Sequence, residues 1–119
     1  MPHLRLALTL LLLAVAPARA EMALMLFDQP GCEWCARWER EIGGAYPLTE
    51  EGAQAPLRRA SIHEPLPEGV RLVRPARFTP TFVLLRDGQE VGRLEGYAGE
   101  DFFYPMLTRL LAQAAARAD

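Results

Sequence analysis

The chain has 119 residues, half of them hydrophobic and 24% charged, with only two cysteines. That composition fits one compact domain and excludes both a multidomain protein and a disulfide-rich scaffold. Thirteen basic residues against fifteen acidic ones give a net charge of -2, which argues against nucleic acid or an anionic lipid surface as partner. Every basic residue is arginine, so Schiff-base and other lysine chemistry is excluded.

Residues 1–20 read as an export leader. Arg5 supplies the N-terminal positive charge, Leu6 to Ala16 form an apolar run broken only by Thr9, and Ala18, Arg19 and Ala20 provide a small-x-small cleavage pattern. The run holds eleven residues, whereas a bilayer span needs roughly 20. An uncleaved anchor is the weaker alternative, since Pro17 ends the run. Cleavage after Ala20 leaves 21–119 as the working domain, outside the cytoplasm.

Met22 to Phe27 is an uninterrupted apolar run of strand length, the pattern of a central strand covered on both faces. From Cys32 the period becomes helical, with Cys35, Trp38 and Ile42 on one face, Glu33–Arg37 and Arg37–Glu41 at charge-pair spacing, and Gly43-Gly44 as the stop. A short helix is predicted over Thr49 to Ala55 with Thr49 as N-cap, and a second strand over Leu57 to His63. Val70 to Arg77 has no assignable period. Phe82 to Leu85 and Glu90 to Glu95 form a hairpin around Asp87-Gly88. A closing helix is expected to bury Phe102, Phe103, Met106, Leu107, Leu110 and Leu111, with Pro105 within or ending its first turn. This order predicts an α/β fold: a mixed sheet of about four strands with helices on both faces.

The chemistry sits in Cys32-Glu33-Trp34-Cys35, a C-x-x-C where a buried strand meets the start of a helix. Unpaired backbone N–H groups and the helix dipole stabilise a thiolate there, so Cys32 is the expected attacking sulfur. Cys35, on the apolar face, is the expected resolving sulfur. A purely structural disulfide is the bland alternative, but so short a loop gains little from closure. Structural zinc usually takes four ligands, and only Cys32, Cys35 and His63 are soft candidates in the mature chain, so no metal is expected. Covalent haem is excluded because position 36 is Ala36. His63 reads as a strand-end or loop histidine.

These residues, with Phe78-Thr79-Pro80-Thr81 leading into a later strand, resemble the thioredoxin superfamily. The resemblance covers nearly all of 21–119 and implies a three-layer thioredoxin-like sandwich without that family's extra N-terminal strand and helix. It also implies that Pro80 is a cis-proline facing the cysteines, with Thr79 presenting its backbone to an extended substrate segment; a trans-proline at a strand start is the alternative from the residues alone. Gly96 matches the family's third substrate-facing segment. Gly31 to Cys35, Tyr46-Pro47, Thr49 to Gly52 and Ala55 to Arg59 narrow the likeness to periplasmic thioredoxin-like proteins of bacterial sulfur-oxidation (Sox) systems. That narrower likeness implies a periplasmic reductase that keeps a sulfur-carrier protein's cysteine reduced. Its implied electron source is a membrane thiol-electron transporter. No bound cofactor is expected, and the chain is expected to act as a monomer.

Two features depart from the thioredoxin pattern. Leu26 stands where thioredoxin has a buried acid, leaving water, Asp28 or Glu33 to move the proton. Glu33-Trp34 matches neither the Gly-Pro of thioredoxin nor the Pro-His of strong periplasmic oxidants. A carboxylate at Glu33 opposes the Cys32 thiolate and favours a reductase; alternatively it is a solvated first-turn acid. Trp34 is either a partner-contact surface or a ring packed on the Tyr46 loop. Besides the reductase, a disulfide isomerase or oxidase and a noncatalytic binding module stay open.

Overall fold

The computed structural model describes residues 13–16 and 18–117. The leader predicted over 1–20 falls mostly outside the described residues; 13–16 and 18–20 carry no helix or strand. Strand β1 (Met22–Asp28) pairs in parallel with β2 (Leu57–Ser61) and antiparallel with β3 (Thr81–Arg86), which pairs antiparallel with β4 (Gln89–Glu95). The order β2-β1-β3-β4 makes β1 an inner strand, as its apolar run requires. Alternation along it sends Leu24 and Leu26 to one face and Ala23, Met25 and Phe27 to the other. The hairpin between β3 and β4 turns at Asp87 (φ 49) and Gly88 (φ 82), both in the left-handed region that this tight turn needs.

Helix α1 (Glu33–Trp38) runs on through a π-helical turn, Glu39–Gly43, and is followed by a 3-10 turn, Tyr46–Leu48, and by α2 (Glu50–Gln54). Thr49 caps α2 as predicted, its Oγ1 accepting the Gly52 N–H at 3.0 Å. A Cβ on Gly52 would stand 1.9 Å from the Tyr46 carbonyl oxygen, so only glycine fits this turn-on-turn contact. With α3 (Glu100–Arg117) these elements deliver Trp38, Ile42, Tyr46, Ala55, Phe103 and Leu107 to the Leu24/Leu26 face. Trp38 lies at its centre, its ring 5.1 Å from Phe82 and 5.6 Å from Phe103. Such aromatic pairs add about 0.5–1.5 kcal/mol each beyond area burial.

Three expectations need correction. The described helices pack on one face only; the second helical layer is replaced by the irregular segment 62–77, whose Ile62, Val70, Leu72 and Ala76 cover Met25, Phe27 and Val83. Pro65, Pro67 and Pro75 explain this, since each removes a backbone donor and blocks a helical turn. In α3, Phe103 and Leu107 are buried, but Phe102 and Met106 are exposed, because each lies one residue off the stripe that faces β4. Pro105 falls in the second turn of α3, since the helix begins at Glu100.

An ion pair fastens the irregular segment. Arg93 and Glu90 on β4 have side chains only 6% and 4% exposed and meet at 2.6 Å. Glu90 accepts the Val73 N–H at 2.9 Å, and Arg93 donates to the Arg74 carbonyl at 2.7 Å. Burial alone pushes the Glu90 carboxyl up, but the Arg93 hydrogen bond, the Val73 N–H and the nearby guanidinium charges together hold it below its usual value.

Candidate redox site

The site forms where three loops meet at one end of the sheet. β1 leads into the turn Gln29-Pro30-Gly31-Cys32, closed by the Cys32 N–H on the Gln29 carbonyl at 3.3 Å. Proline second and glycine third, with Gly31 at φ 80, is the arrangement of a type II turn. Cys32 is thereby the N-cap of α1, and its Sγ accepts the Cys35 N–H at 3.1 Å. A backbone donor aimed at this sulfur favours the charge of a thiolate. Cys32 and Cys35 form a disulfide with Cα atoms 5.2 Å apart. Cys32 is half-buried at the surface, whereas Cys35 is 6% exposed, beneath it and on the same face as Trp38 and Ile42.

The second loop is Phe78 to Pro80. Its Thr79–Pro80 peptide bond is cis and Pro80 is buried. Thr81 Oγ1 donates to the Phe78 carbonyl at 2.7 Å, and the Pro80 carbonyl accepts the N–H of Gly96, at the start of the third loop, at 2.7 Å. Gln29 Nε2 donates to Thr79 Oγ1 at 2.8 Å, tying the proline loop to the cysteine turn. Thus Thr79, Pro80 and Gly96 come together beside the turn that carries Cys32.

Trp34 is 53% exposed, with the Arg37 guanidinium 5.4 Å above its ring. Tyr46 is buried against Trp38. Of the two predicted helical charge pairs only Arg37–Glu41 forms, so Glu33 stands exposed without an ion-pair partner among the described residues. Asp28, Gln29, Cys32, Glu33 and Cys35 line an open depression of about 520 Å³. Leu26 is fully buried, so its position brings no acid beneath the sulfurs. Tyr97, after Gly96, donates to Glu41 at 3.3 Å; burial first and the Glu41 carboxylate second push its hydroxyl up to about 12. Among the described residues no group of three His, Cys, Asp or Glu side chains is placed to hold a metal.

Sequence reasoning missed Gln29 and underrated His63. His63 Nε2 lies 3.0 Å from Gln29 Oε1, so the histidine beyond β2 reaches the cysteine turn, although 31 positions separate it from Cys32 in the chain. The only signal in the sequence is the position of Gln29 immediately before Pro-Gly-Cys.

An accessible sulfur joined to a shielded one at a helix start is built for thiol–disulfide exchange. Fold and site together define a thiol–disulfide oxidoreductase. The thioredoxin-like domain family matches residues 12–111, and the chain belongs to that family. It is similar to the periplasmic thioredoxin SoxS from Paracoccus pantotrophus, solved in its reduced form, with 58% identity over 79% of this chain and 99% of that one, and a TM-score of 0.78. The thioredoxin Mala s 13 of Malassezia sympodialis shares the fold at 18% identity, over 75% of this chain and 74% of that one, with a TM-score of 0.51. No curated protein matches the chain.

Proposed function

We propose that the chain is a periplasmic protein-disulfide reductase in which residues 1–20 are a cleaved leader and 21–119 the working domain. In the reduced protein the Cys32 thiolate attacks one sulfur of a partner's disulfide, or of an adduct on its thiol. The old S–S bond breaks and the departing sulfur takes up a proton. Cys35 then loses its proton and attacks Cys32 Sγ, releasing the partner's second sulfur as a thiol. Two electrons pass to the partner, and the chain ends as the Cys32–Cys35 disulfide. The accessibility difference between Cys32 and Cys35 carries this reading, because it lets one sulfur meet a protein while the other acts only within the molecule.

Thr79, Pro80, Gly96 and Trp34 form the surface against which the partner lies. Thr79 has a backbone N–H and carbonyl free of partners within the described residues, suited to an extended segment. Glu33 modulates the Cys32 thiolate; its unpaired carboxylate disfavours that charge and supports a reducing rather than an oxidising pair. The partner is a protein cysteine, and likeness to periplasmic proteins of sulfur-oxidation systems makes the sulfur-carrier protein of such a system the first choice. Because the periplasm is kept oxidising, the electrons come from a membrane thiol-electron transporter. No bound cofactor is needed, and the chain works as a monomer.

The test is a Cys35→Ser variant expressed in a bacterium with a sulfur-oxidation system. It should accumulate a mixed disulfide through Cys32, released by reductant, whose captured protein names the substrate. Failure of Cys32 to react with a thiol reagent after mild reduction of the folded protein would refute the assignment.

A further inference from the structure

Gln29 reaches parts of the site with both its main chain and its side chain, and the exchange chemistry gives it no role. Its carbonyl accepts the Cys32 N–H at 3.3 Å. Its carboxamide spans outward, with Nε2 donating to Thr79 Oγ1 at 2.8 Å and Oε1 lying 3.0 Å from His63 Nε2. These three contacts join the ends of three separate elements: the turn after β1, the segment after β2 and the loop before β3. The other contacts of the Phe78–Pro80 loop, to Thr81 and Gly96, hold it to β3 and to the loop after β4. Only Gln29 holds it to the cysteine turn among the described side-chain hydrogen bonds.

We infer that Gln29 is a positioning residue: its carboxamide, braced by His63, sets the distance between Cys32 and the Thr79 backbone against which a protein substrate is laid. Both ends of the bridge fit this role. With Nε2 committed to Thr79, Oε1 must accept, so His63 Nε2 carries a proton and donates; the imidazole keeps this donor whether neutral or charged. The carboxamide is thus fixed at both heteroatoms and cannot rotate without losing two hydrogen bonds. An extended protein segment engages the sulfur and the Thr79 backbone together, so it feels an error in their spacing. A small disulfide that touches only Cys32 does not.

This inference rests on the reductase reading and can be tested apart from it. The measurement is kcat/KM of the reduced protein toward two oxidants: insulin, a protein disulfide, and dithiobis-nitrobenzoate, a small aromatic disulfide. Gln29→Leu should lower the insulin value about tenfold, the scale of a lost bridging hydrogen bond, and leave the small-disulfide value within about twofold. Thr79→Val, which removes only the other end of the bridge, should lower the insulin value similarly. The double variant should be no slower than the worse single one, since both break the same link. Gln29→Glu keeps an acceptor for His63 and for the Thr79 hydroxyl, and should bring the ratio of the two values back toward that of the unaltered protein. An unchanged ratio in Gln29→Leu, or a double variant about a hundredfold slower, would overturn the inference. If the unaltered chain reduces neither oxidant, the oxidoreductase reading itself falls and takes this inference with it.

Discussion

Replacing Arg93 by leucine tests how the helix-free face is held. The substitution strips the Glu90 carboxylate, only 4% exposed, of its 2.6 Å partner and removes the donor to the Arg74 carbonyl. Breaking a buried pair from one side costs about 3–5 kcal/mol, because a charge remains in a place that cannot solvate it. For a domain of this size that lowers the melting temperature by about 15 °C or more. The double variant Glu90→Leu/Arg93→Leu should recover most of the loss, since no charge is stranded, and solvent can take over the exposed Val73 N–H. The loss should also shrink in acid. In the intact pair the Glu90 carboxyl is held below its usual value of 4.5, so its stabilisation is present above that value and fades as pH falls through the lowered one. In Arg93→Leu the carboxyl protonates more readily, and the gap between the two proteins closes. Urea unfolding of all three proteins at neutral and acid pH measures this. A loss below about 1 kcal/mol, or a double variant no more stable than the single one, would refute the reasoning.

Two further outcomes are expected. Glu33→Gln removes an exposed charge next to Cys32, and exposed charge interactions are worth up to about 1 kcal/mol; the Cys32 pKa, followed by thiolate absorbance, should fall by roughly half a pH unit and the midpoint potential should move upward. An unchanged pKa would leave Glu33 as a solvated helix-start acid. Tyr97 is raised to about 12 by burial and Glu41, and burial likewise raises Tyr46 above its usual value. Their neutral forms therefore stabilise the fold fully below about 10, the unfolded value, and stability should fall as pH climbs from there toward 12. Tyr97→Phe should flatten part of that decline in alkaline unfolding curves.

Much of the architecture is local and could be read from the chain. The apolar run of β1, the helical stripe of Cys35, Trp38 and Ile42, the Thr49 cap and the Asp87-Gly88 turn depend on neighbours within a few residues. For the same reason the C-x-x-C at a helix start is legible in the chain itself, and the structure joins its two sulfurs. The tertiary structure decided what crosses between elements. It set a proline-rich segment, fastened by Glu90 and Arg93, where a helical layer was expected, and it turned Phe102 and Met106 outward by a fraction of a helical turn. It also brought His63, Gln29 and Thr79 into one chain of hydrogen bonds. Periodicity reports which face of an element is apolar, but a long-range polar contact leaves no period, and only the closing of the sheet brings those three side chains within reach.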